Sequence, residues 1–312
     1  MRTHEVTAGP DTIHWGYFDY RLEPILTIAS GDRLIVHTLS GIPELLPEDP
    51  SRYPEDELRA IYAGVRRGAG PHILVGPVAV EGAEPGDTLE VAIEEIKPRV
   101  DWAFNQTYPL RGTLPDDYPQ GSGRILDLDL EAGTVELAPG WKVPLRPFFG
   151  VMGVCPPEYL GEIPSNPPYV HGGNLDNKEL VAGSRLYLPV RTRGAGLSVG
   201  DGHAAQGDGE VNQTAVETCM SGTFRLSVRK DMKPRWPRAE TPTHHITMGF
   251  DPDLDDAAKA ALREMIDLLC EGFGLGREEA YLFCTAAVDL HITQLVNGHK
   301  GVHAMVAKEL LP

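Results

Sequence analysis

Cysteine is scarce in this chain. Cys155, Cys219, Cys270 and Cys284 are the only thiols in 312 residues, and no two have C-x-x-C spacing. That pattern excludes a zinc knuckle and a redox dithiol, and so long a chain with so few thiols does not need a disulfide scaffold. Long apolar runs are also lacking, since nothing approaches the roughly 18 consecutive apolar residues of a membrane helix. The N-terminal MRTHEVTAGPDTIHWGY has no apolar stretch of the signal-peptide kind, so a soluble cytoplasmic protein with no membrane partner is expected. Positive charge is in deficit, 28 Lys and Arg against 45 Asp and Glu, for a formal charge of −17. Such a surface repels nucleic acid and anionic lipid and favours a neutral or cationic small molecule over an anionic one.

Glycine and proline are plentiful. With 34 Gly and 27 Pro the chain reads as many short elements, and a 41% hydrophobic content is enough for a substantial core. Two segments resemble each other, PILTIASGDRLIVH (24–37) and VAVEGAEPGDTLEVAI (78–93). Each places a strand pattern before a Gly-Asp turn and an alternating run after it, which predicts two hairpin-like units of a barrel or sandwich. Residues 101–124, rich in Asp, Tyr, Pro and Gly, read as a long loop, and Glu55–Arg67 as a short helix. Beyond residue 250 the apolar period changes to helical. Ala258, Leu262, Met265, Ile266 and Leu269 share one face, and Ala280, Phe283, Ala287, Leu290 and Gln294 another, with Asn297-Gly298 as a stop. The expected fold is a single α+β, β-rich domain over 1–312, with a barrel- or sandwich-like β core within 1–250 and a helical pair within 251–300.

The stretch GLSVGDGHAAQGDGE (196–210) holds the densest chemistry. Its G-x-S-x-G around Ser198 has the spacing of a hydrolase elbow, but an elbow serine must be followed by a helix, and the glycines after it are too dense to start one. A calcium loop of the EF-hand kind fails on register, because Ala205 and Gln206 fall where a ligand and a glycine are required. Asp201 and His203 are better placed. Residues two apart on a strand share a face, and imidazole with carboxylate suits Zn²⁺ or another transition ion. The alternative is that Asp201 only shapes a turn and His203 is an ordinary partly buried histidine. HGGNLDNK (171–178) adds Asn174 and Asp176, also two apart, which can equally be turn formers. TAVET (214–218) adds Glu217, a carboxylate in apolar company that must pair with a cation or hold a raised pKa. His14 in IHWGY is a weaker candidate.

Together HGGNLDNKEL, LYLPV, RGAGLSVGDGHAAQGDGEVNQTAVE, EPGDTLEVAI and EEAYLFCTAAVDLHITQLVN resemble the acetamidase/formamidase family over most of the chain. The resemblance implies hydrolysis of the C–N bond of small linear amides such as formamide and acetamide to a carboxylate and ammonia. It also implies metal dependence and a homodimer or higher homo-oligomer. It maps Asn174 and Asp176 onto the family's GGN-x-D, Asp201, His203, Gln206 and Glu210 onto its GDGHAAQGDGE, and Glu217 onto its TA-x-E.

The expected site therefore has Asp176, Asp201, His203 and Glu217 around one divalent metal, Zn²⁺ by donor type, with additional Ca²⁺ allowed for. Glu217 is the expected base, Asn174 the oxyanion donor, Gln206 a further catalytic residue and Glu210 a weaker ligand candidate. A small pocket would suit formamide or acetamide. No glycine- and serine-rich stretch of a Ser-Ser-Lys amidase is present, and nothing near Cys155 in GVCPPEY activates its sulfur. The reading from another class is a non-catalytic β-rich protein with structural calcium.

Overall fold

A computed structural model describes residues 1–312, apart from the side chain of Pro43. Two large sheets carry the fold. The first, of nine strands, runs in spatial order Thr3–Thr7, Arg33–His37, Met220–Arg229, Thr88–Pro98, Arg185–Pro189, Arg238–Glu240, His244–Asp251, Lys300–Ala307 and Val288–Gln294. The second, of eleven, has a main path of Trp141–Pro144, Thr134–Ala138, Ser122–Asp129, Trp102–Thr107, Val216–Glu217, Leu197–Ala205, Phe148–Gly153 and Gly172–Asn174. Ile73–Val80 joins it beside Leu197–Ala205 and brings in Ile13–Trp15 and Leu26–Ile28. The inner faces meet in one core, with Phe149 of the second sheet and Phe224 of the first at 5.6 Å between ring centroids. The architecture is β-rich and sandwich-like with a helical pair near the C-terminus, as the sequence predicts.

The two Gly-Asp segments do not form hairpins. Leu26–Ile28 and Ile73–Val80 lie in the second sheet, while Arg33–His37 and Thr88–Pro98, which follow the turns, lie in the first. Each turn is a corner that carries the chain from one sheet to the other. Gly31 and Gly86 adopt φ of +92° and +94°, a region open to glycine and costly for other residues. The aspartate that follows each glycine fastens the corner: Asp32 accepts from the backbone N–H of Arg2 and Asp87 from that of Glu84. After the second corner Leu89, Val91 and Ile93 are buried, which is why the alternation is strong on that side.

Three helices are present among the described residues: α1 (Glu55–Gly64), α2 (Leu254–Phe273) and α3 (Arg277–Ala287). The Asp253 carboxylate caps α2 by accepting from the N–H groups of Asp255 and Asp256, and Gly274 closes it in the left-handed conformation. Its buried face, including Ala257, Ala261, Met265 and Leu269, packs on the His244–Asp251 and Lys300–Ala307 strands.

Two sequence expectations are corrected. The helix expected through Asn297 ends at Ala287, and Val288–Gln294 is an edge strand paired with Lys300–Ala307, because β-branched Val288, Ile292 and Thr293 favour extended backbone. Asn297-Gly298 is consequently a hairpin turn. Likewise the loop expected from 101 to 124 opens with the strand Trp102–Thr107, whose Trp102 and Ala103 are fully buried. No helix is long and apolar enough to cross a membrane.

Two outcomes follow from this packing. A Cβ at Gly249 would lie 2.3 Å from the Ala257 carbonyl oxygen and 2.4 Å from the Ala261 nitrogen, both backbone atoms of α2. Gly249→Ala must push α2 off the sheet and lower unfolding free energy by about 2 kcal/mol or more in a denaturant titration. Glu240 offers a pH-dependent case. Burial alone would raise its carboxyl, but Lys308, Arg185 and Tyr187 donate to it and lower it to about 2. A depressed carboxyl stabilises above its unfolded pKa of about 4.3 and loses that contribution as pH falls toward its folded value. Glu240 is only partly withdrawn from solvent, which screens its ion pairs, so Glu240→Gln should cost about 1 kcal/mol at neutral pH and progressively less in acid, read from chemical denaturation at a series of pH values.

Candidate functional site

The Leu197–Ala205 strand organises the site because its neighbours change along its length. Phe148–Gly153 pairs with one edge throughout. The other edge pairs with Ile73–Val80 through residues 197–200 and with Val216–Glu217 through His203 and Ala205. At this junction His203 lies opposite Glu217, and Asp201 comes from the same strand. Asp176 follows the short Gly172–Asn174 strand beyond Phe148–Gly153, and Glu210 lies in the loop after Ala205.

Five side chains converge. His203 Nε2 is 3.2 Å from Asp201 Oδ2, 3.3 Å from Glu217 Oε1 and 3.9 Å from Asp176 Oδ1. Asp176, His203 and Glu210 place ligand atoms within 4.8 Å of one another, and Asp201, His203 and Glu217 do the same. His203, Asp176, Glu210 and Glu217 are buried, while the Asp201 side chain keeps 13% of its surface exposed. His203 Nε2, Asp176 Oδ1 and Glu210 Oε2 have no hydrogen-bond partner among the described residues. Buried polar atoms without partners are costly, so three of them aimed into one cluster point to a missing binding partner.

The backbone is shaped to bring these groups in. Asp176, Asp201 and Glu210 have φ of +46°, +60° and +46°, half of the six positive-φ non-glycine residues among those described. Such a conformation costs about 1–2 kcal/mol per residue and persists where the surroundings impose it, commonly at functional sites. Gly150 supplies the space. A Cβ there would lie 2.5 Å from Asp176 Oδ1, 2.6 Å from Asp201 Oδ2 and 2.7 Å from His203 Cε1.

Polar neighbours fix the ligand atoms. His203 Nδ1 is 2.9 Å from Gln206 Oε1, and Gln206 Nε2 donates to the Asp176 carbonyl at 2.7 Å. That second bond orients the amide, so Oε1 accepts from Nδ1–H and Nε2 of His203 is the ring nitrogen that faces the carboxylates. Asn297, delivered by the hairpin turn, donates from Nδ2 to Asp176 Oδ2. The Ala215 N–H donates to Glu217 Oε1.

The electrostatics follow from crowding. Burial, with repulsion from neighbouring carboxylates, raises the pKa of Asp176, Glu210 and Glu217. Burial would also raise Asp201, but His72 and His203 outweigh it and hold that carboxyl low. Burial would lower His203, but Glu217 and Asp201 hold it well above the usual imidazole value. Four carboxylates around one imidazole cannot all ionise in a buried site without additional positive charge. The donor set fits a divalent cation: His203, Asp176, Asp201, Glu210 and Glu217 supply one nitrogen and several carboxylate oxygens, and Gly150 leaves the room.

A cavity of about 640 Å³ reaches the cluster and is lined by Asp201, Glu210, Glu217 and Asn174. Its walls include Pro71, Phe104, Tyr108, Pro164 and Val296. Residues 108, 164 and 296 contribute to its rim. Asn174 Oδ1 is buried without a partner. Gln206 is placed behind His203, where it orients the ring, and does not line the cavity.

His14 is not part of the site. Its Nδ1 bonds the Tyr17 carbonyl oxygen and its Nε2 the Ser198 hydroxyl at 2.8 Å, and it packs against Phe18. Ser198, buried within the Leu197–Ala205 strand, is followed by further strand and not by a helix. Sequence reasoning missed Gly150, Asn297 and His72, whose Nε2 lies 3.6 Å from Asp201 Oδ2 and whose Nδ1 bonds Ser165 Oγ. Only His72, a histidine in a strand pattern, left a trace that could have been followed.

The acetamidase/formamidase family matches residues 23–166 and 163–307. A formamidase of Methylophilus methylotrophus is 28% identical over 299 residues, covering 72% of this chain and 73% of that protein. Among solved structures, an acetamidase from Bacillus halodurans superposes with a TM-score of 0.84 at 30% identity, covering 98% of both chains. A predicted acetamidase/formamidase from Thermoanaerobacter tengcongensis superposes with a TM-score of 0.86 at 26% identity, covering 99% of this chain and 97% of that one. The chain belongs to the acetamidase/formamidase family and is an amidase acting on linear amides.

The space at Gly150 is directly testable. Gly150→Ala pushes a methyl group among three ligand side chains, whose ends can move aside. The expected protein has an unchanged far-ultraviolet circular dichroism spectrum and divalent-cation affinity reduced by roughly 10-fold or more, measured by equilibrium dialysis.

Proposed function

We propose that this member of the family hydrolyses linear amides with a divalent cation, Zn²⁺ by donor type, held by His203, Asp176, Asp201 and Glu217 with Glu210 beside them. The observation that carries this reading is the set of unpartnered, buried ligand atoms around the gap at Gly150. A cation bound there supplies Lewis-acid chemistry, which lowers the pKa of water and polarises a carbonyl oxygen.

The remaining steps belong to this chain's own residues. The Asn174 carboxamide faces the cavity and complements a primary amide, donating from Nδ2 to the substrate oxygen and accepting at Oδ1 from its N–H. Glu217, raised by burial, takes a proton from the attacking water at a carboxylate oxygen. As the C–N bond breaks, the same carboxyl returns that proton to the departing nitrogen, and the products are a carboxylate and ammonia. Gln206 keeps the His203 ring in one tautomer, and Asn297 holds the second oxygen of Asp176.

The cavity volume favours a second element in this reading. About 640 Å³ lies within the range of about 300–1,000 Å³ that holds ligands much larger than formamide. The Phe104, Tyr108 and Pro164 walls suit an acyl group longer than acetyl.

Ammonia release from formamide, acetamide, propionamide and a longer aliphatic amide, with and without a chelator, tests both elements. Activity should vanish on chelation, return with Zn²⁺, and be retained or increased with the longer amides. Glu217→Gln should lower kcat/KM by about 100- to 10,000-fold with the circular dichroism spectrum unchanged. Full activity in metal-free protein would eliminate the cation role, and a steep fall beyond acetamide would eliminate the larger acyl group.

A further inference from the structure

A second group of metal-type ligands lies outside the cluster assigned above. Asp208, His291 and His303 each place one ligand atom within 4.8 Å of the others. The two histidines are direct cross-strand partners on Val288–Gln294 and Lys300–Ala307, their rings stacked at 4.9 Å and 9°. Asp208 reaches them from the 207–210 loop, its Oδ2 3.1 Å from His291 Nδ1.

His303 carries the argument. It is fully buried, and its Nε2 has no hydrogen-bond partner among the described residues. Its Nδ1 is 2.7 Å from Thr293 Oγ1, which can accept Nδ1–H and leave the Nε2 lone pair free. His203 has the same arrangement, with Gln206 in the place of Thr293. On the other side, Lys178 Nζ lies 3.2 Å from Asp208 Oδ1, which steadies the carboxylate while Oδ2 faces the imidazoles. Lys178 is itself held by Glu179 at 2.6 Å. The Asp208 and His291 side chains are 31% and 34% exposed, which gives an ion a path in and room for water as a further ligand.

We propose that Asp208, His291 and His303 form a second metal site, selective for a nitrogen-preferring transition ion such as Zn²⁺, that clips the 207–210 loop to the C-terminal hairpin. Two imidazoles and one carboxylate make a softer set than the single imidazole and four carboxylates of the first cluster, so this site rejects Ca²⁺ and Mg²⁺. The clip has a structural consequence. Gly209 already exchanges backbone hydrogen bonds with Thr293 and Leu295, and Glu210 is the next residue in the loop. An ion here fixes the loop that carries Glu210.

The test uses the full chain, stripped with a chelator and titrated with Zn²⁺ alone. Wild type, His291→Ala, His303→Gln and Gly150→Ala are compared by calorimetric stoichiometry and by the zinc-induced rise in melting temperature. His291→Ala removes a partly exposed side chain, so it keeps the test valid even where the buried His303→Gln fails to fold. The expected result is one zinc equivalent fewer in His291→Ala than in wild type, a smaller thermal shift, and no such equivalent when Ca²⁺ replaces Zn²⁺. Gly150→Ala should keep that equivalent while binding zinc roughly 10-fold or more weakly at the first cluster, which separates failure of one site from failure of the other. Equal zinc stoichiometry and equal thermal shift in wild type and His291→Ala would overturn the proposal.

Discussion

The structure is built around one electrostatic constraint: four carboxylates and one imidazole share a buried volume too small for their combined negative charge. In water each carboxylate would be ionised at neutral pH. In this position burial and mutual repulsion drive Asp176, Glu210 and Glu217 toward the protonated form and force extra positive charge onto His203. Such a cluster is costly on its own, and the cation proposed above would offset its charge. Other site features read as accommodations to that condition: the missing side chain at Gly150, the left-handed backbone at Asp176, Asp201 and Glu210, and the amides of Gln206 and Asn297 held against His203 and Asp176.

The fold creates this crowding by assembling the five side chains from separate segments. Asp201 and His203 come from one strand, Glu217 from a two-residue strand beside it, Asp176 from the end of a short strand on the other side, and Glu210 from the following loop. The sandwich core beneath them is large, and the site sits where the Leu197–Ala205 strand exchanges one neighbour for another. That exchange leaves room at the sheet surface, and the cavity occupies it. The C-terminal hairpin, although distant in sequence, closes one side and contributes Asn297. Helix α2 keeps the hairpin strand Lys300–Ala307 in place by packing against it.

Much of this was legible in the sequence, and the reasons differ by element. The alternation through Leu89, Val91 and Ile93 gave a strand because one face is buried, and α2 was legible from its apolar stripe. Asp176, Asp201, His203 and Glu217 were candidates by residue type and spacing, but spacing alone left turn and core roles open, and the resemblance to the family brought them into one set. Pairing across sheets was not legible: the Gly-Asp corners look like hairpin turns until the strands on each side are assigned to different sheets. The last turns expected of α3 were lost to a strand because a helical and an extended pattern overlap in AVDLHITQ, and tertiary pairing decided between them. Gly150 and Asn297 could not be found from local pattern at all. The first matters through the volume it leaves empty, and the second is meaningful only once residue 176 is known to lie beside it.

The left-handed backbone at Asp176, Asp201 and Glu210 bears on any attempt to move this chemistry elsewhere. Grafting the five side chains onto another β scaffold would reproduce their identities but not the torsions that aim them, since a regular strand directs successive side chains to opposite faces. The transplantable unit is the segment together with its distortions and the glycine opposite. Drift in homologous chains should accordingly be tolerated along the regular strands and resisted at the bends, whatever residue happens to sit there.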